Sequence, residues 1–329
     1  MPPDDHETSP GDSPESSLDR DGWLELLRAM GEEGGSFEAL GPHHWALFNE
    51  DGNDLLVTFD TLETIVAGQA GEMPPAFGLA TRRGWSHLSV IVEGDDWYRS
   101  PDVYRHFDRL VDEDFFEDFD RVLFFGAGMG AHAACAFSVA APGATVLVLE
   151  PCATLDPAIA GWDMRHRDRR RLNFAGRYGY GPDMIEGAGQ VYLLFDPHRR
   201  EDAMHAALYR DRHVIPLRLP HLGGEVEAAL ATIGILPALL TAAMTRSLDR
   251  RTFANQWRKR RESLRYLRSL LLKCARARRP AREAAICHWV TWRMKAPGFR
   301  RHLADLEARG LVPTADRAPE QSASADSSS

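Results

Sequence analysis

"LFFGAGMGAHAACAFSVAAPGATVLVLEP", residues 123–151, decides the reading of this chain. An apolar run from Val122 to Phe125 enters a turn with glycines at Gly126, Gly128 and Gly130. A helix pattern of small residues follows, then a second apolar run from Thr145 to Leu149. Strand, sharp turn, helix, strand is the layout of a nucleophile elbow, whose pattern is G-x-S-x-G. The three glycines fit the close strand-to-helix packing of that turn. The serine position is Gly128.

Away from this stretch, strands and helices alternate. Ser100 and Pro101 open the helix "SPDVYRHFDRLVDEDFF" as N-cap and first residue. "SHLSVIVEG", "QVYLLFD" and "HVIPLRL" read as strands, and "REDAMHAALY" as a helix. Upstream, "DGWLELLRAMGEE" suggests an amphipathic helix, and "HWALFNE" and "DLLVTFD" are β-type runs joined by a hairpin-like turn at Asp51–Asp54. Uninterrupted apolar strands alternating with helices predict an α/β fold, a mostly parallel sheet covered by helices on both faces.

Beyond Thr245 only helix patterns remain: three helices, with Pro280 and Pro297 at the starts of the second and third and Gly310 closing the last. The expected organisation is a disordered acidic N-terminus at 1–20, an α/β domain at 21–244, a basic helical region at 245–312 and a disordered tail at 313–329. One copy of such a helical hairpin cannot bury its own face, so it is expected to pack on the main domain.

Composition sets outer limits. Hydrophobic residues make up 44% and charged residues 26% of the 329, as in ordinary globular proteins. No apolar run is long enough for a membrane span, and the N-terminus lacks the layout of a secretory signal, so a cytoplasmic location is expected. Cys135, Cys152, Cys274 and Cys287 stand singly, which argues against disulfides and a zinc site. Neither a metal nor a cofactor is expected. Net charge is −9, unevenly spread. Residues 1–60 hold fifteen acids against Arg20 and Arg28, while residues 246–302 hold eighteen Lys and Arg against Asp249, Glu262 and Glu283. The basic block can attract nucleic acid or an anionic membrane. A stripe of Leu264, Leu267, Leu270 and Leu271 inside it favours the solvated face of a packed bundle.

The glycines invite one competing interpretation, a dinucleotide fingerprint. That motif needs G-x-G-x-x-G near the first strand, with an acid some twenty residues on. Glu150 sits near the right place, but the third glycine is off by one and the motif falls in mid-chain.

Asp196 directly follows one late strand and His221 follows the next, the order nucleophile, acid, histidine. Over roughly residues 45–240 the chain resembles the α/β-hydrolase superfamily. More narrowly, the elbow stretch with "CATLDP", "GWDMRHRDRRRLNFAGRYGY" and "FDPHRREDAMHAALY" resembles a bacterial group with a degenerate elbow. Its members are often labelled phosphoadenosine phosphosulfate reductase. The residues do not support that label: an S-G-G-K-D phosphate loop and a C-terminal catalytic cysteine are both missing.

The resemblance implies that Asp196 and His221 occupy the acid and base positions and that Gly128 replaces the nucleophile. Acyl transfer through a serine is then impossible at that position. The Met129 N–H, with a donor near Thr61 or Leu62, is expected to form an anion-binding pocket at the helix N-terminus. Glu150 and His132 are further expected cleft residues, and Cys152 lies close by in sequence. The expected function is a pseudohydrolase that binds a small ligand or scaffolds a protein partner. The alternative is hydrolysis by water activated by His221 with Asp196 or Glu150.

Overall fold

A computed structural model describes residues 20–66 and 73–313. The expected disordered ends fall almost wholly outside the described residues, as does the first half of the Gly- and Pro-containing stretch 67–78, which reads as a loop.

Eight strands form one sheet: β1 (Gly35–Ala39), β2 (His44–Asn49), β3 (Asp54–Thr61), β4 (Ser86–Val92), β5 (Arg121–Ala127), β6 (Thr145–Leu149), β7 (Gln190–Phe195) and β8 (Val214–Arg218). Their order is β1-β2-β4-β3-β5-β6-β7-β8. β2 runs antiparallel to both neighbours, and β3 to β8 are parallel. The helices are α1 (Arg20–Gly34), α2 (Leu62–Val66), α3 (Phe77–Arg83), α4 (Pro101–Asp112), α5 (Met129–Phe137), α6 (Pro157–Ala160), α7 (Gly181–Met184) and α8 (Arg200–Ala206). The chain ends in α9 (Val226–Ile233), α10 (Leu236–Met244), α11 (Arg250–Trp257), α12 (Leu264–Arg276), α13 (Pro280–Arg293) and α14 (Pro297–Ala308).

Alternating side chains of the parallel strands feed two cores, one on each face. Val57, Phe124, Val146 and Leu193 pack under α4 and α5. Leu56, Leu123, Leu147 and Tyr192 pack on the opposite face with α10 and the C-terminal helices. A third cluster joins Trp23 and Leu27 of α1 to Trp45, Leu47 and Ile91. The fold class expected from the sequence is the one observed.

Two local expectations change. The Asp51–Asp54 turn is not a hairpin: β4 lies between β2 and β3, so the connection crosses over it. The long basic helix breaks in two, because Ser263 is extended (φ −83°, ψ 109°) and its hydroxyl caps the Tyr266 N–H. The remaining helix signals stand. The Ser100 hydroxyl accepts the Asp102 N–H, and Gly310 takes φ 65° after α14.

The C-terminal helices do pack on the main sheet. Phe253, Trp257, Leu267, Cys287, Val290 and Phe299 belong to the same continuous core as Leu123 and Leu147. Each fully buried apolar side chain of this kind contributes about 1.5–3 kcal/mol. Their arginines face outward: Arg250, Arg251, Arg258, Arg265 and Arg268 are all exposed. Among the described residues no single helix is long and apolar enough to cross a membrane.

Candidate functional site

Parallel strands place all their C-terminal ends on one edge, where open α/β sheets bind ligands. That edge collects Thr61, Gly128, Glu150, Asp196 and His221. It also concentrates unusual backbone: Glu150 (φ 52°) and His221 (φ 67°) are left-handed without being glycine. Such conformations cluster at functional sites.

Gly128 has φ 55° and ψ −112°, outside the regions open to most side chains. Its N–H donates to Leu149 O at 3.0 Å, tying the elbow to the end of β6. The flanking glycines are sterically required. A Cβ on Gly126 would overlap the Gly130 carbonyl, and one on Gly130 would stand 2.5 Å from the Phe59 oxygen. At Gly128 a Cβ would meet nothing within 4 Å. The turn therefore keeps the shape of a nucleophile elbow and an open volume where a side chain would project, without the side chain.

Asp196 is 1% exposed, and both its oxygens are engaged by backbone. Oδ1 accepts the N–H groups of His198 and His221 at 3.0 Å each, and Oδ2 accepts that of Gly223 at 2.8 Å. His198 Nδ1 adds a contact at 3.0 Å. Burial pushes its pKa up, but the His198 and Gly223 hydrogen bonds outweigh burial and the net shift is down. The His221 ring stacks on His198 with centroids 3.9 Å apart. Burial, then the charges of His198 and Lys273, lower the His221 pKa. Lys273 of α12 donates to the His221 carbonyl at 3.0 Å, so the C-terminal region clamps this loop. Acid and base positions meet through the main chain, with no bond between carboxylate and imidazole.

The other expected residues are placed as follows. The Thr61 hydroxyl accepts the Thr64 N–H at 3.1 Å, capping α2, and Leu62 is buried with Trp45 and Ile91. The Met129 N–H opens α5, where first-turn amides have no intrahelical acceptor. The Met129 sulfur accepts the Trp97 N–H at 3.1 Å. His132 is buried beside Trp97 and Phe174, with Nδ1 3.3 Å from the Cys152 carbonyl. Burial lowers its pKa to about 3, so it is a neutral packing residue.

Glu150 Oε2 accepts the Val226 N–H at 3.2 Å, and burial raises its pKa. It is one of three carboxyl groups here whose pKa is raised, unlike that of Asp196. Asp60, at the end of β3, accepts from Thr58 Oγ1 at 2.6 Å and Ser89 Oγ at 2.8 Å; burial nonetheless raises its pKa. Glu227, in the first turn of α9, is raised to about 7 by burial and then by the charges of Asp60 and Glu150. Asp60 ends β3 and Glu150 follows β6, the two neighbours of β5. The Glu227 carboxyl therefore lies within electrostatic reach of both Asp60 and Glu150.

Cys152 sits in a Cys-His-Asp trio whose hydrogen bonds engage the imidazole elsewhere. Its Sγ is 3.8 Å from His205 Nε2, and the same Nε2 is 3.0 Å from Asp163 Oδ2. His205 Nδ1 accepts the Ala153 N–H at 3.2 Å. The Nε2 proton therefore points at Asp163 and no ring lone pair is free for the thiol. Burial drives the Cys152 thiol pKa well above its ordinary value. The trio belongs to a buried charge network. Arg165 binds Asp163 at 2.7 Å and bridges to Asp202, which also takes Arg199 at 2.8 Å. Burial opposes ionisation of Asp163, but the His205 and Arg165 bonds hold its carboxyl far below the usual range. "GWDMRHRD" and "HRREDAMH" thus meet in one structural network.

Sequence reasoning missed Asp60, Glu227 and this network. Asp60 ends an apolar strand and Glu227 is the lone acid in an apolar helix; both were available signals.

No protein-family model matches the chain, and no curated protein matches it. Solved structures do. The glycosylation-associated protein complex of Streptococcus agalactiae is similar at 13% identity and TM-score 0.43, covering 64% of this chain. This chain spans less than half of that one, 46%. The capsule O-acetyltransferase of Neisseria meningitidis serogroup A is similar at 9% identity and TM-score 0.41, covering 60% of this chain and 92% of its own. A thioesterase-like protein of Silicibacter sp. tm1040 is similar at 14% identity and TM-score 0.43, covering 68% and 91%. With its sheet order and strand-elbow-helix unit, the chain has the α/β-hydrolase fold.

Proposed function

We propose that this protein is a pseudohydrolase, which has kept the elbow and its cleft for binding and has lost covalent acyl transfer. The observation that carries this reading is Gly128: the backbone of a nucleophile, with open space at its missing Cβ. The remaining chemistry agrees. Asp196 holds main-chain amides, His221 has no carboxylate on its ring, and the Cys152 thiol is buried beside an imidazole that cannot take its proton. Asp60, Glu150 and Glu227 suit a neutral, hydroxyl-bearing or cationic ligand better than an anion. Binding such a small ligand, or presenting the cleft to a partner, is the activity this edge supports.

One observation favours a second reading. A carboxyl raised to about 7 is poised for general base catalysis near neutrality, and Glu227 has that property. Hydrolysis by a water activated at Glu227, with no acyl-enzyme, is the enzymatic alternative. Steady-state assay of an acyl-ester panel with the native protein and Glu227→Gln separates the two. The pseudohydrolase reading expects no turnover above the uncatalysed rate in either. Turnover in the native protein that Glu227→Gln abolishes would establish the alternative.

A further inference from the structure

The helical region carries surface depressions of its own, one of which reaches His221 at the elbow edge. α12 and α13 form a hairpin, and their outer surface carries two adjoining depressions of about 600 and 300 Å³. Both are lined by Leu270, Ala285 and Ile286, so they form one continuous furrow. Its smaller end runs to Tyr266 and Trp289, its larger end to Lys273 and His221. The rim is cationic throughout: Arg260 and Arg261 at the small end, Lys273, Arg279 and Arg282 at the large one. Among the described residues no acidic side chain lines either part. Arg279 and Arg282 are exposed and belong to no ion pair among the described residues.

We propose that this furrow binds a single-chain anionic amphiphile, a fatty carboxylate, with its chain along Leu270 and Ile286 and its head at Arg279, Arg282 and Lys273. Three observations select this occupant. An apolar floor under a wholly basic rim matches a hydrocarbon chain with an anionic head. The combined volume lies in the range of small-molecule sites. The chain's own acidic N-terminal residues 1–19 offer only Met1 and Leu18 as large apolar side chains, too few to fill the floor. The inference rests on the furrow's own lining and not on the proposed function of the elbow, although His221 borders both.

The test is titration of the full-length protein with monomeric saturated carboxylates from hexanoate to tetradecanoate, read by calorimetry. The expected result is one ligand per chain, with affinity rising roughly fourfold per methylene until the furrow is filled. Ala285→Trp, at an exposed position, should abolish binding. Arg279→Glu with Arg282→Glu should weaken it at least tenfold while leaving decanol binding unchanged, and circular dichroism verifies that each variant is folded. Absence of saturable dodecanoate binding, or binding unchanged in Ala285→Trp, would overturn the proposal. So would binding confined to anionic vesicles or an acidic helical peptide.

Discussion

Asp196 Oδ1 accepts the main-chain N–H of His221 at 3.0 Å, where a catalytic acid would accept the proton of the imidazole. The contact joins the two loops that carry the acid and base positions, and it gives Asp196 a structural task. Replacing it by Ala leaves the N–H groups of His198, His221 and Gly223 without their acceptor. Asp196→Ala should therefore destabilise the fold by about 2–4 kcal/mol. Denaturant unfolding measures it; a loss below 0.5 kcal/mol would remove this role.

The buried network predicts the acid limb of stability. Because the folded-state pKa of Asp163 is depressed, its contribution is present above the ordinary carboxyl pKa and is lost as pH falls through and below it. Asp163→Ala should cost about 3–5 kcal/mol at neutral pH and flatten the stability profile below pH 4. An unchanged acid limb in the variant would contradict this assignment.

Glu227 works in the opposite direction. Its folded pKa, about 7, lies above the ordinary glutamate value of 4.5. The folded state holds the proton more tightly, so stability declines as pH rises from 4.5 to 7 and stays lower beyond. Glu227→Gln should stabilise the protein above pH 7 by about 1–3 kcal/mol, the lower figure applying where water reaches the carboxyl. Thermal unfolding at pH 5 and pH 8 reads the difference; equal effects at both would contradict it.

Thiol accessibility separates the cysteines. Cys135, Cys152 and Cys287 are buried, and Cys274 is partly exposed. Burial also raises the pKa of the first three, that of Cys287 to about 11. A disulfide reagent on the folded protein should modify Cys274 alone, with the other three reacting on unfolding. Rapid modification of Cys152 in the folded state would reopen it as a nucleophile.

How far the sequence carried this account follows from the physics of each signal. The parallel strands were legible because strands buried on both faces must be apolar throughout. The starts of α4, α13 and α14 were legible because serine caps and first-turn prolines act locally. The crossover at Asp51–Asp54 was not, since a four-residue turn looks the same whether its strands pair or part. The break at Ser263 was masked because the basic run before it leads straight into the leucine stripe that begins at Leu264. At the site, the flanking glycines spoke plainly through sterics. The orientation of Asp196 could not be read, because the choice between an imidazole and three amides depends on where the 221–223 loop lies.

The central claim concerns Gly128. Serine there has room for its Cβ but must adopt φ 55°, a strain of about 1–3 kcal/mol. With the His221 ring unpaired to any carboxylate, Gly128→Ser should remain folded, lose a little stability and gain no ester turnover. The most direct measurement is intact-mass analysis of the native protein after treatment with a fluorophosphonate probe. The account predicts the unmodified mass at long exposure. A stoichiometric single adduct on any serine would show that the chain holds an activated nucleophile, and the pseudohydrolase reading would fall.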